Sequence, residues 1–277
     1  MVAAVVGGSF FGDNLSFISD TTVAATRTQD CRMQDKFRTN FRIVWPAALL
    51  CFLIYMAIGL MGDHQTTTMA TELHLWRVLP YAVVLVTAIA GMNVMSVLCL
   101  GCLLTGVVGI AEGSYGLGGW LTAMGQGICG MGELIVISMM AGGLLAVVRK
   151  GGGVTWLVRG LTRRVHSRRG AECCISALVG LTNCCTANNT VAILSVGAIT
   201  KDISERYGVD KRRAASLLDI FSCVVQGVLP YGAQLLMAGG LALVSPMAII
   251  PYLYYPALLA LAALASIALT GRRTATA

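Results

Sequence analysis

Four stretches of this chain carry no charged side chain. Ile43–Gly62 runs for 20 residues, Val78–Ala111 for 34, Cys173–Thr200 for 28 and Ile220–Gly271 for 52. About 20 apolar helical residues span a bilayer. In lipid every backbone N–H and C=O must be satisfied within the segment, so helices are the spanning unit for runs of this kind. The pattern constrains the chain to an all-α polytopic membrane protein. Composition agrees: 56% of residues are hydrophobic, 12% are charged and the mean hydropathy is +0.76. That balance excludes a disordered chain and an ordinary soluble enzyme. Met1–Phe11 is apolar but lacks the basic start and cleavage pattern of a signal peptide. The ten cysteines lie in apolar runs or adjacent pairs and form no disulfide framework. Cys99-x-x-Cys102 has no second pair or nearby histidine to make it a metal or redox motif.

The net charge of +7 does not indicate nucleic acid, because the basic residues are segregated. Arg27–Arg42 holds five Lys/Arg, Arg149–Arg169 seven, Lys201–Arg213 five, and Arg272-Arg273 close the chain. Basic residues concentrate in cytoplasmic loops, which places these segments inside and Asp63–Arg77 outside. Ile43–Gly62 then runs outward. Val78–Ala111 would be about 51 Å long as one helix and reads as two short passes broken near Gly91-Met92-Asn93. Glu112–Glu133, with eight glycines, reads as a loop or partly re-entrant segment, and Leu134–Val148 as a return span. Cys173–Thr200 begins and ends beside basic loops, so it reads as a re-entrant hairpin with its tip at Asn183–Thr190. Ala214–Val244 goes out and Met247–Leu269 comes back. Val154–Val165 puts an apolar stripe opposite Arg159, Arg163 and Arg164, the pattern of an interfacial helix.

The sequence also repeats itself. At an offset of 214, Phe11–Asp20 lies against Val225–Gln234, and Val44-Trp45-Pro46-Ala47 lies against Tyr254-Tyr255-Pro256-Ala257 four residues out of step. The charge pattern gives the two copies opposite topology. Inverted repeats with interrupted helices mark secondary transporters, whose sites lie near the midplane at the breaks. The expected organisation is one transmembrane domain over 1–277, N-terminally incomplete. Within it, 1–62 is the end of a first repeat, 133–270 a second repeat, and 149–170 a cytoplasmic loop with an interfacial helix. Residues 1–277 alone are expected not to transport, since the second copy has a hairpin before it and the first has none.

The chemistry concentrates at the breaks. Asp13, Ser16, Ser19, Asp20 and Thr21 bring carboxylates and hydroxyls to the end of an apolar stretch. A carboxylate at bilayer depth costs roughly 2.5–3.5 kcal/mol and is retained for function by default. Dense oxygens beside unwound backbone suit a small hard cation. One carboxylate can hold a cation or a proton but not both, the minimum chemistry of exchange. The bland reading is a hydrated loop capping the next helix. Asp219 lies in an apolar stretch before the break Val228–Gly232, with a wet helix start as its bland reading. Gln226 and Gln234 offer neutral ligands there. Asn188 and Asn189 at the hairpin tip would orient a cation or satisfy freed backbone. Glu112, Glu133 and Glu172 read as interfacial, and His64, His74 and His166 as solvated surface.

Gly8–Thr22 (GSFFGDNLSFISDTT) resembles the first-half signature of the NhaC family of Na⁺/H⁺ antiporters, usually written FFGDKLSPLSDTT, with Asn14 for the usual Lys and Phe17 for the usual Pro. Thr186–Ala192 and Leu217–Gln234 resemble its second-half signatures. The resemblance implies the ion-transporter superfamily fold and a bacterial inner-membrane Na⁺/H⁺ exchanger working by alternating access. It puts Asp13, Asp20, Asn188, Asn189, Asp219, Gln226 and Gln234 on motif positions. It implies Na⁺ and H⁺ as cargo, no cofactor and no other metal. Partners are the lipid bilayer and small cations, not nucleic acid, and homo-oligomerisation is left open. The alternatives are a Na⁺/H⁺-coupled exchanger of organic carboxylates, which Arg in a span would favour, and an inactive fragment. An enzyme is disfavoured. The residues before Asp13 are not the Gly-x-Gly of an intramembrane aspartyl protease, and His-Glu-x-x-His is absent.

Overall fold

The computed structural model describes residues 1–16, 19–61, 75–90, 92–130, 165 and 167–270, with scattered positions between 132 and 160. These residues are helical wherever they are regular. They divide into two compact units, one of 1–61 with 133–277, the other of 62–132. The expected span Leu134–Val148, the interfacial helix Val154–Val165 and the three histidines lie largely or wholly outside the described residues.

In the larger unit, helix α1 (Val2–Leu15) stops at Ser16, and α2 (Asp20–Thr28) follows after a short interruption. Helix α3 (Met33–Met61) continues through Pro46. The run Val2–Thr28, taken through its interruption, and Met33–Met61 are each long and apolar enough to cross a membrane. The outer face of α3 carries Trp45, Leu49, Phe52, Leu53, Met56 and Leu60, all exposed. So broad an apolar face suits lipid, not water.

Arg168–Arg206 forms two helices packed on each other and joined by a tight turn. Ser167 caps α7 (Arg168–Thr186) by accepting from the Gly170 N–H, and α8 (Asn189–Arg206) starts from Asn188, which accepts from the Val191 N–H. Ala187 joins them in the left-handed region at φ 49°, where a residue with a Cβ is strained. Helix α9 (Lys211–Gln226) begins at Asp210, whose carboxylate accepts from the Arg212 N–H. The chain breaks at Gly227 and resumes as α10 (Ala233–Ala242). Then come a turn, α11 (Pro246–Ile249), a 3-10 turn at Ile250–Tyr252, and α12 (Tyr254–Thr270). The expected continuous return span from Met247 is thus interrupted. Leu243 closes α10 in the left-handed region, and the segments on either side meet at 96°. Pro251 removes a backbone donor within the second of them.

Helix α9 lies at the centre. Its Ala214, Ala215, Leu217 and Leu218 join a core with α2, α7 and α8, while Ile220 and Cys223 join another with α1, α3, α10 and α12. Between those faces runs a buried polar stripe, Ser216, Asp219, Ser222 and Gln226, at the 3–4 residue spacing of one helix face. Membrane helices gain little from hydrophobic burial against one another and associate through close packing and hydrogen bonds. Two glycines permit such approach. A Cβ on Gly197 of α8 would stand 2.5 Å from Thr28, and one on Gly227 would stand 2.4 Å from Pro256.

In the smaller unit, α4 (Leu79–Ile89) and α5 (Val94–Ala111) form the expected broken pair, packed on each other. Asn93 caps α5 by accepting from the Met95 N–H. The glycine-rich segment Glu112–Glu133, expected as a loop or a partly re-entrant segment, is helical over α6 (Leu117–Gly130), which is not a loop. Glycine is tolerated in membrane helices, and Gly106 of α5 allows the Trp120 ring of α6 within 2.4 Å of where a Cβ would stand.

Candidate functional site

Three interruptions of helical backbone meet around the hairpin tip: α1/α2, α7/α8 and α9/α10. Asp20 opens α2. Its Oδ1 accepts from the Thr21 N–H at 2.9 Å, and its Oδ2 accepts from Thr190 Oγ1 of α8 at 2.6 Å. A carboxylate in a first helical turn is favoured by the helix dipole. On the other side, Gln226 Nε2 donates to the Ala187 carbonyl at 3.0 Å and to Gln234 Oε1 at 3.1 Å, and Tyr231 donates to the Cys184 carbonyl at 2.8 Å. Asn183 Nδ2 donates to Asn189 Oδ1 at 3.0 Å and to the Ser222 carbonyl at 2.8 Å. The hairpin tip is therefore tied to both broken helices through side chains.

The residues expected at the site divide into groups. Asp13 is half-buried in the last turn of α1, receives a hydrogen bond from Ser19, and lies within electrostatic reach of Asp219, Asp20 and Lys36. The Ser19 and Thr21 hydroxyls share a hydrogen bond of 2.8 Å, and Ser16 Oγ accepts from the Ser19 N–H at 3.2 Å. Asn189, Asp219 and Gln226 are buried. Asn188 is exposed, and its oxygen is engaged as the cap of α8.

The densest polar contacts join Asp219 to residues outside the expected site set. Lys36 reads from its basic neighbours as a cytoplasmic loop residue; it is 1% exposed on α3 and forms an ion pair with Asp219, itself 0% exposed. Its ammonium donates to Asp219 Oδ2 at 2.6 Å, Thr22 Oγ1 at 2.8 Å and the Asn14 carbonyl at 3.3 Å. Asn40, one turn on, donates to the same Oδ2 at 2.8 Å and the same carbonyl at 2.9 Å, while its own oxygen accepts from Ser216. Asn14 Nδ2 donates to the Phe10 carbonyl at 2.9 Å and to the Tyr255 hydroxyl at 3.3 Å. The sequence does hold a signal for this cluster. Lys36, Asn40, Ile43, Val44, Ala47 and Cys51, the buried face of α3, recur at helical spacing, so periodicity extends the helix back through the basic segment.

A second buried pair stands apart. Glu172, which reads from sequence as interfacial, is 0% exposed. Arg213 Nε and Nη2 donate to its Oε2 at 3.2 and 3.1 Å, and Nη1 donates to Ser266 at 2.7 Å. Lys36 lies ahead of the expected span Ile43–Gly62, in the first turn of the same helix. Charge counting along a sequence cannot see a partner 183 residues away.

Asn14 Oδ1, Asn183 Oδ1, Asp219 Oδ1 and Gln226 Oε1 are buried acceptors that find no hydrogen-bond partner among the described residues. Buried polar groups normally have partners. Neutral amide and carboxylate oxygens are what a hard monovalent or divalent cation takes when it sheds water. Among the described residues no group of three or more His, Cys, Asp or Glu could hold a metal ion.

Several known proteins resemble the chain. The chain is 19% identical to a malate-2H⁺/Na⁺-lactate antiporter of Bacillus subtilis strain 168, over 92% of this chain and 61% of that one. It is 24% identical to the Na⁺/H⁺ antiporter NhaC of Alkalihalophilus pseudofirmus, over 83% and 56%, and 22% identical to the NhaC of Bacillus subtilis, over 83% and 58%. The chain thus spans about three fifths of the length of these relatives. No solved structure matches it. The sequence profile of the Na⁺/H⁺ antiporter family matches residues 82–271. The chain is a membrane protein that belongs to the Na⁺/H⁺ antiporter family, that of the NhaC exchangers.

Proposed function

We propose that this chain exchanges Na⁺ for H⁺ by alternating access across a bacterial inner membrane, through a site built on Asp13, Asp20 and Asp219. The observation that carries the reading is that Asp20, at the α1/α2 interruption, accepts from Thr190 beside the hairpin tip, with Asp13 in electrostatic reach of both Asp20 and Asp219. Each carboxylate can hold a proton or a cation, and interrupted helices supply the oxygens that replace hydration. The broken pairs α1/α2 and α9/α10 serve in this reading as the two members of an inverted repeat.

Exchange of an organic carboxylate is the alternative, since one relative is named for malate and lactate. The donors in hand favour the cation. The three N–H groups of Lys36 meet three acceptors within the protein, and Arg213 is committed to Glu172 and Ser266. Both side chains are thus engaged within the protein and not turned to an anionic substrate.

Everted vesicles carrying the protein expressed from its complete gene test the reading by Na⁺-induced dequenching of a ΔpH dye between pH 6 and 9. Na⁺ alone should collapse the gradient. Asp13→Asn, Asp20→Asn and Asp219→Asn should each abolish or severely weaken the response while leaving expression intact. Flux that requires malate or lactate would select the alternative. Wild-type rates in both Asp13→Asn and Asp20→Asn would make the α1/α2 segment a structural cap.

A further inference from the structure

We propose that the side-chain oxygens of Asn183 and Gln226 form, beside Asp219, the neutral part of a seat for one dehydrated Na⁺ at the seam of α7 and α9. The inference deepens the antiport reading and rests on it for the identity of the ion. Asn183 is not among the site residues expected from sequence.

Each amide has a single orientation open to it. Asn183 Nδ2 donates to the Ser222 carbonyl at 2.8 Å, and Gln226 Nε2 donates to the Ala187 carbonyl at 3.0 Å. A main-chain carbonyl accepts and never donates. The amide nitrogen must therefore face it, and the amide oxygen must turn away. Both oxygens are buried, on side chains 0% and 2% exposed, and meet no hydrogen-bond partner among the described residues. A buried acceptor left unmade is costly. Two on one seam point to a ligand between them, and acceptors recruit a cation, not an anion.

The two amides are neighbours. Ala187 lies one turn beyond Asn183, to whose carbonyl its N–H donates, and Gln226 lies one turn beyond Ser222 on α9. The Asn183–Ser222 and Gln226–Ala187 bonds are thus successive rungs between two helices that run in the same direction, about 5.4 Å apart along the axis. Asp219, whose Oδ1 is likewise buried and without a partner among the described residues, lies on the same face of α9 as Ser222 and Gln226.

The backbone favours one positive charge here. Helix α7 ends at Thr186 and α9 at Gln226, so the carbonyl ends of both, with their partial negative charge, come to the seam. Helix α8 starts beside them with the opposite polarity, but Thr190 of its first turn donates to Asp20 Oδ2, which sets a carboxylate against that end. Broken helices of transporters hold Na⁺ at such C-terminal ends and unwound carbonyls. The nearest carboxylate on α9, Asp219, already pairs with Lys36, which leaves the seat without the spare negative charge that a divalent ion would need.

The test uses the protein expressed from its complete gene, purified into nanodiscs and held at one pH. Binding of ²²Na⁺ gives the affinity. Infrared difference spectra on Na⁺ addition, with asparagine and glutamine isotope-labelled at the side-chain amide carbon, report whether those carbonyls are touched. The unsubstituted protein should bind Na⁺ and shift the labelled band. Asn183→Ala removes one oxygen, and Gln226→Asn withdraws the other by one methylene. Each should lower Na⁺ affinity roughly tenfold or more and shrink the shift. Na⁺ binding to the unsubstituted protein with no shift of the labelled band would overturn the inference and leave the antiport reading intact, the oxygens then being met by buried water only. That measurement needs no substitution, so it decides even where a variant fails to fold. Unsubstituted affinity in either variant, or a shift that persists at full size in both, would overturn it equally. Absence of Na⁺ binding to the unsubstituted protein would overturn the antiport reading and this inference with it.

Discussion

The Arg213–Glu172 pair gives a stability prediction independent of transport. Arg213→Ala removes two N–H donors from Glu172 Oε2 and one from Ser266. Glu172 remains 0% exposed, and its remaining cation is Arg168, 3.6 Å from Oε1 and 38% exposed. Breaking a buried pair from one side costs about 3–5 kcal/mol. Arg168 supplies partial compensation, which places the expected loss near the lower end, about 3 kcal/mol, or roughly a hundredfold in the folding equilibrium. Replacing both partners by apolar residues, Arg213→Met with Glu172→Leu, removes the stranded charge and should leave stability within about 1 kcal/mol of the parent. Titrating purified protein from mixed micelles into dodecyl sulfate, with tryptophan fluorescence as the signal, measures the parent, the single variants and the double variant alike. A loss below about 1 kcal/mol in Arg213→Ala would refute the reasoning. So would a double variant as unstable as the single one, because the cost would then belong to lost packing instead of charge.

Two further outcomes follow from the packing and the surface. Gly197→Ala puts a methyl 2.5 Å from Thr28, so α2 and α8 must separate; the expected loss is about 1–3 kcal/mol, and Thr28→Ala in the same chain should recover part of it in the same titration. At the surface, Lys201 donates to Asp30 at 2.5 Å and holds its carboxyl below the ordinary value. A lowered carboxylate pKa stabilises above the unfolded pKa and is lost as pH falls through the folded one, so Asp30→Asn should destabilise slightly at neutral pH and not at all once the pH falls below the carboxylate range. The pair is exposed, so the neutral-pH difference should also shrink in high salt.

What the sequence shows depends on whether the physics is local. The hairpin tip at Ala187–Asn188 and the break after Gln226 are legible because polar and helix-breaking residues interrupt apolar runs, a pattern visible within one segment. Glycine density is a poorer guide. It suggests a loop or a partly re-entrant segment over Glu112–Glu133, of which Leu117–Gly130 is helical. The uncharged run begins at Ile43, but helix α3 begins ten residues earlier, at Met33. Lys36 and Asn40 are charged or polar and still buried, since their partners Asp219 and Ser216 come from α9. Asp219 can be singled out from sequence, but the group it pairs with cannot, because that pairing is a tertiary fact. Glu172 reads as interfacial for the same reason, its partner Arg213 lying on another helix.

The shared donors at the α1 terminus bear on how the protein can move. Lys36 and Asn40 each reach both the Asn14 carbonyl and the Asp219 carboxylate. These contacts stitch α1, α3 and α9 at a single point, and displacing any one of these helices strains bonds within the stitch. While it holds, the three helices travel as one piece. A motion that changes their relative positions must first break those hydrogen bonds. The rigidity of the three helices and the state of the contacts at Asp219 are then one variable.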